Sequence, residues 1–185
     1  MKIYTRKGDD GQSFLASGVR GLKTDQRFEV LGDLDELSAW LGLIVSQLTD
    51  VDKKPLLRAQ AACLAAGAWA AEAEAGILTK IKDTVQPEDV ISLEQQIDEL
   101  STKLPELTSF ILPGGTVLSA QIQLSRAVAR RLERSWLTLP RALSRQSVWP
   151  VWREYWNRLS DYLFVLARYV NQQSGVTDLT WKGQS

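Results

Sequence analysis

An all-α fold, an up-and-down bundle of five helices, is what three features of this 185-residue chain predict. Apolar residues recur at spacings of three and four through five separate stretches, the period that puts them on one face of a helix. Pro55, Pro87, Pro105, Pro140 and Pro150 fall at the edges of those stretches, where a helix starts or stops, and Pro113 lies in a break between two of them. No alternation of period two competes, apart from a short extended piece near Lys2 to Tyr4.

Residues 1–24 are polar, and Gly8, Gly11, Gly18 and Gly21 interrupt every periodicity, so this segment reads as a loop or extended arm. The first helix starts near Asp25 and carries Phe28, Leu31, Leu34, Asp35, Leu37, Ser38, Leu41, Ile44, Val45 and Leu48 at helical spacing. A second, alanine-rich helix runs from about Pro55 to Lys80. Pro87 opens a third, with Val90, Leu93, Ile97 and Leu100 on one face, ending before Pro105. FILPGG, Phe110 to Gly115, is a break. The fourth helix spans about Thr116 to Leu137 and is closed by Pro140. The fifth runs from near Pro150 to about Gln173, with Trp152, Tyr155, Trp156, Leu159, Leu163, Leu166 and Val170 on its apolar face. Helices of about 25 to 40 Å suit a single bundle, so one domain is expected over 1–185, with an arm at 1–24 and the bundle at 25–173.

Acidic and basic residues balance at 22 each, so no long-range field exists to hold nucleic acid or an anionic membrane. Any anion site must be local. The N-terminus lacks the apolar core of a signal peptide and no run of about 18 apolar residues occurs, so a cytoplasmic protein is expected. The single cysteine, Cys63, lies among alanines and reads as a small buried hydrophobe. The chain has no histidine, which excludes Ser-His-Asp and Cys-His catalysis, His-ligated zinc and HExxH sites.

Ser125 to Arg134, SRAVARRLER, holds four arginines. Arg126, Arg130, Glu133 and Arg134 fall on one helical stripe, and Arg131 points elsewhere. Three guanidinium forks on a stripe repel one another unless an anion sits among them, and they match phosphates and carboxylates bidentately. A solvated face with Glu133 paired to Arg130, or an interhelix salt bridge, fits the same residues. The arm gathers Thr5, Arg6, Lys7, Ser13, Arg20 and Lys23 around its glycines, as a backbone cradle for an anion would, although it is not a Walker A sequence and also fits a plain tail. Asp35 shares a stripe with Phe28, Leu31, Ser38 and Gly42, and a carboxylate on an apolar face calls for an arginine from another helix. In WNRLSDYLF, Asn157 and Asp161 are an i, i+4 pair; Asn157 fits either a nucleotide contact or a helix-surface hydrogen bond.

Taken in order, these pieces resemble the PduO-type ATP:cob(I)alamin adenosyltransferases. Thr5 to Ser13 stands where that family has TRxGDxGxT, followed by Lys23, Arg27 and the VDEL-like Leu34-Asp35-Glu36-Leu37; FILPGG resembles FxLPGG, Ser125 to Arg134 resembles AR-xxx-RRAER, and NRLSDYLF matches nearly letter for letter. The resemblance implies a homotrimer with active sites between subunits, transferring the 5′-deoxyadenosyl group of ATP to the cobalt of cob(I)alamin. It implies that Thr5, Arg6, Gly8, Asp9, Gly11, Ser13, Arg20 and Lys23 wrap ATP. Arg130 and Glu133 would hold the triphosphate with its Mg²⁺, and Asn157 the nucleotide. Arg126 would bridge to Asp35 across subunits, and Phe110 would lie below the corrin and keep the lower axial ligand away. A reductase and an adenosylcobalamin-dependent enzyme are the implied partners. Three positions depart from the pattern: Gln123 replaces a histidine, Leu132 an alanine, and Ser135 a common arginine. A non-catalytic paralogue that binds nucleotide or corrinoid as a carrier or sensor is the alternative, and a ligand-free structural bundle a third reading.

Overall fold

The computed structural model describes residues 8–15, 18–49, 51–72, 84–139 and 149–181. Its described residues form five helices, α1 (Gln26–Gln47), α2 (Lys54–Glu72), α3 (Pro87–Ser101), α4 (Val117–Trp136) and α5 (Trp149–Gln173), preceded by the short strands β1 (Gln12–Phe14) and β2 (Arg20–Leu22). Residues 73–80, expected to continue the second helix, and the extended piece at Lys2 to Tyr4 lie outside the described residues.

Local chemistry sets the helix starts. The Asp25 carboxylate accepts from the Arg27 backbone N–H at 2.9 Å and caps α1. Asp89 accepts from the Gln86 N–H at 2.8 Å just ahead of α3, whose first residue is Pro87. Thr116 Oγ1 accepts from the Ser119 N–H at 3.0 Å and opens α4.

Side-chain pairings give the topology. Gln60 on α2 donates to the Ser38 carbonyl, and a Cβ at Gly67 would touch Leu31, so α2 runs back along α1. Asp33 meets Arg131 and Gln47 meets Gln121, so α4 is also antiparallel to α1. Ser119 meets Ala167 and Glu133 meets Asn157, which sets α5 antiparallel to α4. Glu94 meets Arg158 and Lys103 lies over the Tyr169 ring, so α3 and α5 run parallel. These directions are those of an up-and-down bundle with α4 between α1 and α5.

The core lies along these seams. Leu34, Leu37, Leu41 and Ile44 of α1 pack on Ala59, Ala62, Ala66 and Ala70 of α2, whose methyl side chains let the two backbones approach. Ile122 and Leu132 of α4 join Leu159, Leu163 and Leu166 of α5. Trp69, Trp136, Trp149, Trp152 and Trp156 stack together where α2 and α4 end and α5 begins.

Within the arm, β1 and β2 form an antiparallel hairpin that pairs Gln12 with Leu22 and Phe14 with Arg20. Its loop closes through Gly18, whose φ of +82° is readily adopted by glycine. No helix among the described residues is long and apolar enough to cross a membrane.

Candidate active site

The last two turns of α4 face the first half of α5, and that seam brings Glu133 to Asn157. Asn157 Nδ2 donates to Glu133 Oε1 at 3.0 Å, on the wall of a cavity of about 320 Å³ also lined by Leu137, Arg153 and Arg158. Glu133 is therefore held by an amide rather than by Arg130. One turn back, Arg130 is exposed and has no ion-pair partner among the described residues. Its backbone carbonyl accepts from Arg134 at 2.9 Å, which folds Arg134 back along the helix.

Arg126 is half-buried. Its Nε donates to Gln123 Oε1 at 2.8 Å, and its guanidinium lies 5.9 Å from the centroid of the Phe164 ring. Burial, with the positive charge of Arg130 added, pulls its pKa below the usual arginine value, although the group stays charged. No carboxylate of the chain pairs with it among the described residues.

Arg131, which the helical phase turns away from that stripe, is the arginine that crosses to α1. Its Nε donates to Asp33 Oδ1 at 2.6 Å and its fork also reaches Glu36. Ser135 Oγ donates to the other Asp33 oxygen at 2.6 Å. Asp33 is thus the carboxylate on the core face of α1, and Asp35 is exposed. The expectation that Asp35 sits on the packing stripe is corrected accordingly. The apolar residues of α1 spread over more than one face, so spacing alone did not fix which carboxylate turns inward.

In the arm, Lys23 and Gly8 lie together, since a Cβ on Gly8 would come within 3.4 Å of Lys23 Nζ. The Lys23 N–H donates to the Gly11 carbonyl at 2.9 Å, which folds the hairpin end back on itself. Asp9 is exposed and Ser13 half-buried. Arg20 pairs with Asp10 in an exposed ion pair and lies 5.7 Å from the Phe14 ring centroid. Thr5 and Arg6 lie outside the described residues.

Phe110 is 80% exposed, ahead of α4. Its carbonyl accepts from the Trp181 N–H at 2.7 Å and the Leu112 N–H donates to the Leu179 carbonyl at 2.8 Å, so the segment is bridged to the tail beyond α5. Phe110 and Trp181 flank an open cavity of about 490 Å³. Asn171 satisfies the turn behind it, donating to Gly114 O at 3.0 Å and accepting from the Thr116 N–H at 3.0 Å. Neither Asn171 nor the buried Arg168 was singled out from the sequence. A charged residue inside the apolar run LFVLARYV was the available signal.

The profile of the cobalamin adenosyltransferase family matches residues 3–170. The chain belongs to this family. The corrinoid adenosyltransferase of Bacillus subtilis (strain 168) is 34% identical over 183 residues, spanning 98% of this chain and 93% of that protein. That of Citrobacter freundii is 38% identical over 168 residues, spanning 90% of this chain and 93% of that protein. A variant PduO-type ATP:corrinoid adenosyltransferase from Lactobacillus reuteri, complexed with cobalamin and ATP, matches with a TM-score of 0.84 at 28% identity, covering 100% of this chain and 98% of the other.

As a cobalamin adenosyltransferase the chain carries three departures from the family pattern, and each has a structural place. Gln123 supplies the acceptor for Arg126 Nε. Leu132 is fully buried in the core. Ser135 gives its hydroxyl to Asp33, which an arginine side chain there would displace.

Proposed function

We propose that the chain transfers the 5′-deoxyadenosyl group of ATP to the cobalt of cob(I)alamin, giving adenosylcobalamin and triphosphate. The observation that carries this reading is the meeting of Glu133 and Asn157 at a cavity one helical turn from Arg130, which has no ion-pair partner among the described residues. In the reaction the cobalt electron pair forms a bond to the 5′ carbon as the carbon–oxygen bond breaks, and the triphosphate leaves with that bond's electrons. No proton has to move, so a chain without histidine is chemically sufficient. What the protein must supply is alignment of the two substrates and stabilisation of charge on the departing oxygen. Arg130 is suited to the second task because a guanidinium strengthens its contact as phosphate charge grows.

Mg²⁺ fits this site as a companion of the triphosphate. Glu133, the carboxylate at this cavity, would be its protein contact beside the phosphates, since the described residues hold no cluster of three metal-ligating side chains to bind the ion alone. The ion would neutralise phosphate charge. The arm would close over ATP with Gly8, Asp9, Gly11, Ser13, Lys23, Thr5 and Arg6, Arg20 exchanging its exposed Asp10 partner for phosphate.

We also assign the active form to a trimer. Arg126 is half-buried without a carboxylate of its own protomer, and Asp35 is exposed without an arginine, among the described residues; pairing across subunits would satisfy both. The distance along α4 supports a shared site. Ser119, beside the Phe110 turn, and Glu133 are 14 residues apart, about 21 Å at 1.5 Å per residue. Neighbouring protomers would then bring a corrin half and a triphosphate half together.

The test is to incubate the purified chain with ATP, Mg²⁺ and chemically reduced cobalamin, following the adenosylcobalamin spectrum and inorganic triphosphate. Both products should appear in equal amounts. Binding of nucleotide or corrinoid without product would point instead to the carrier or sensor.

A further inference from the structure

We propose that Arg168 is a positioning residue for Phe110, acting through the segment that carries it and the tail bridged to that segment; this role rests on the corrinoid reading above. Phe110 is 80% exposed, so its own packing does little to place it. The segment around it does not lie on a filled core either. Residues 104–109 and Ile111 border a cavity of about 350 Å³ that is lined on its other sides by Arg168 and Gln172 of α5 and by residues 175–178 and Thr180. A segment with a cavity on one side keeps its position largely through its polar ties.

Those ties converge on one guanidinium. Arg168 is 8% exposed; its Nη2 donates to the Pro105 carbonyl at 2.9 Å and its Nε to Asp178 Oδ2 at 2.7 Å. Asp178 in turn precedes the tail residues that hold Phe110 from the other side, through the Trp181 N–H to Phe110 O at 2.7 Å and the Leu112 N–H to Leu179 O at 2.8 Å. Arg168 thus fixes the near bank of the segment directly and the far bank through Asp178. Stability is a weak reason for such a pair, since a buried ion pair is often no better than apolar residues of the same volume. A planar fork that joins two chain segments at set angles is a stronger one, because lysine cannot make both contacts in that geometry.

The experiment compares wild type, Arg168→Lys, Asp178→Asn and the double variant Arg168→Met/Asp178→Asn, the last leaving no uncompensated buried charge. Hydrogen exchange at the Trp181 and Leu112 amides, which needs no substrate, should accelerate about tenfold in the double variant. Turnover on reduced cobalamin should show an unchanged KM for ATP, with kcat/KM for the corrinoid lower by about tenfold to a hundredfold, the scale of a small misplacement remote from the reacting atoms. Cob(II)alamin bound with ATP should keep more of its lower axial ligand, seen in its absorption spectrum, and Arg168→Lys should restore part of each effect. Unchanged amide exchange, or an unchanged corrinoid kcat/KM and spectrum, overturns the role. So does a parallel loss for ATP and corrinoid that tracks the melting temperature, which is what a merely structural residue would give. A wild type that makes no adenosylcobalamin sinks the corrinoid reading and this role with it, while the exchange result still reports whether the tie exists.

Discussion

At one end of α4, Trp136 stacks on Trp69 at 5.3 Å and on Trp149 at 5.6 Å between ring centroids, with Trp152 and Trp156 closing the cluster. At the other end, the chain before α4 is held by Arg168, Asn171 and two backbone bonds across a cavity. Glu133 and Asn157 stand on helices locked by the first arrangement, and Phe110 hangs from the second. The difference matches what each half would be asked to do. Charge stabilisation works only if the charged groups are fixed before the reaction, and large interlocked rings resist displacement. The segment that would meet the corrin is placed instead by a few polar ties beside a cavity.

The aromatic end should fail through stability and the other through turnover. Trp136→Ala removes the ring at the centre of the cluster and should destabilise by about 3 to 5 kcal/mol, lowering the melting temperature by about 10 °C or more. Phe110→Ala should leave melting nearly unchanged, because an exposed ring has little burial to lose, and should impair adenosylation alone. Comparable melting losses in the two variants would erase the contrast.

Next in size is Arg131→Ala. It strips Asp33, buried on the core face of α1, of its cation and leaves only Ser135, so a loss of about 3 kcal/mol in urea unfolding is expected. Its kcat at a temperature where it stays folded should remain near wild type. A selective loss of turnover would move Arg131 into the site.

Smallest is Tyr162→Phe. The Tyr162 hydroxyl is buried without a hydrogen-bond partner among the described residues, and burial pushes its pKa well above the ordinary tyrosine value. Removing an unpaired hydroxyl forfeits no bond, so stability should stay within about 1 kcal/mol or rise. A larger loss would mean that the hydroxyl makes a hydrogen bond in the folded protein.

The helices were legible because their signals are local: Pro87 at the start of α3, Thr116 at the start of α4, and the apolar period of α5. The stripe through Arg130 and Glu133 followed from phase alone, and the structure adds Asn157 as the partner of Glu133. What was not legible depends on distance in sequence. The bridge from Ile111 to Thr180 joins residues with no shared pattern, and Arg168 finds Asp178 only beyond the end of its own helix. Asp33 and Asp35 lie about 160° apart on α1, and the apolar residues between and around them are too many to single out the inward one. The seven tryptophans were countable, but the assembly of five of them at one end requires three helix ends to meet.

The claim that Arg130 clamps the leaving triphosphate is tested most directly by kcat at saturating ATP and corrinoid, measured beside the melting temperature, for wild type, Arg130→Ala and Arg130→Lys. Arg130 is exposed, so the alanine variant should melt within a few degrees of wild type. Its turnover should fall by about 10² to 10³, the scale of one lost donor to developing charge, and lysine should recover only part because a point charge lacks the planar fork. Wild-type turnover in Arg130→Ala, or a loss explained wholly by unfolding, would contradict the clamp.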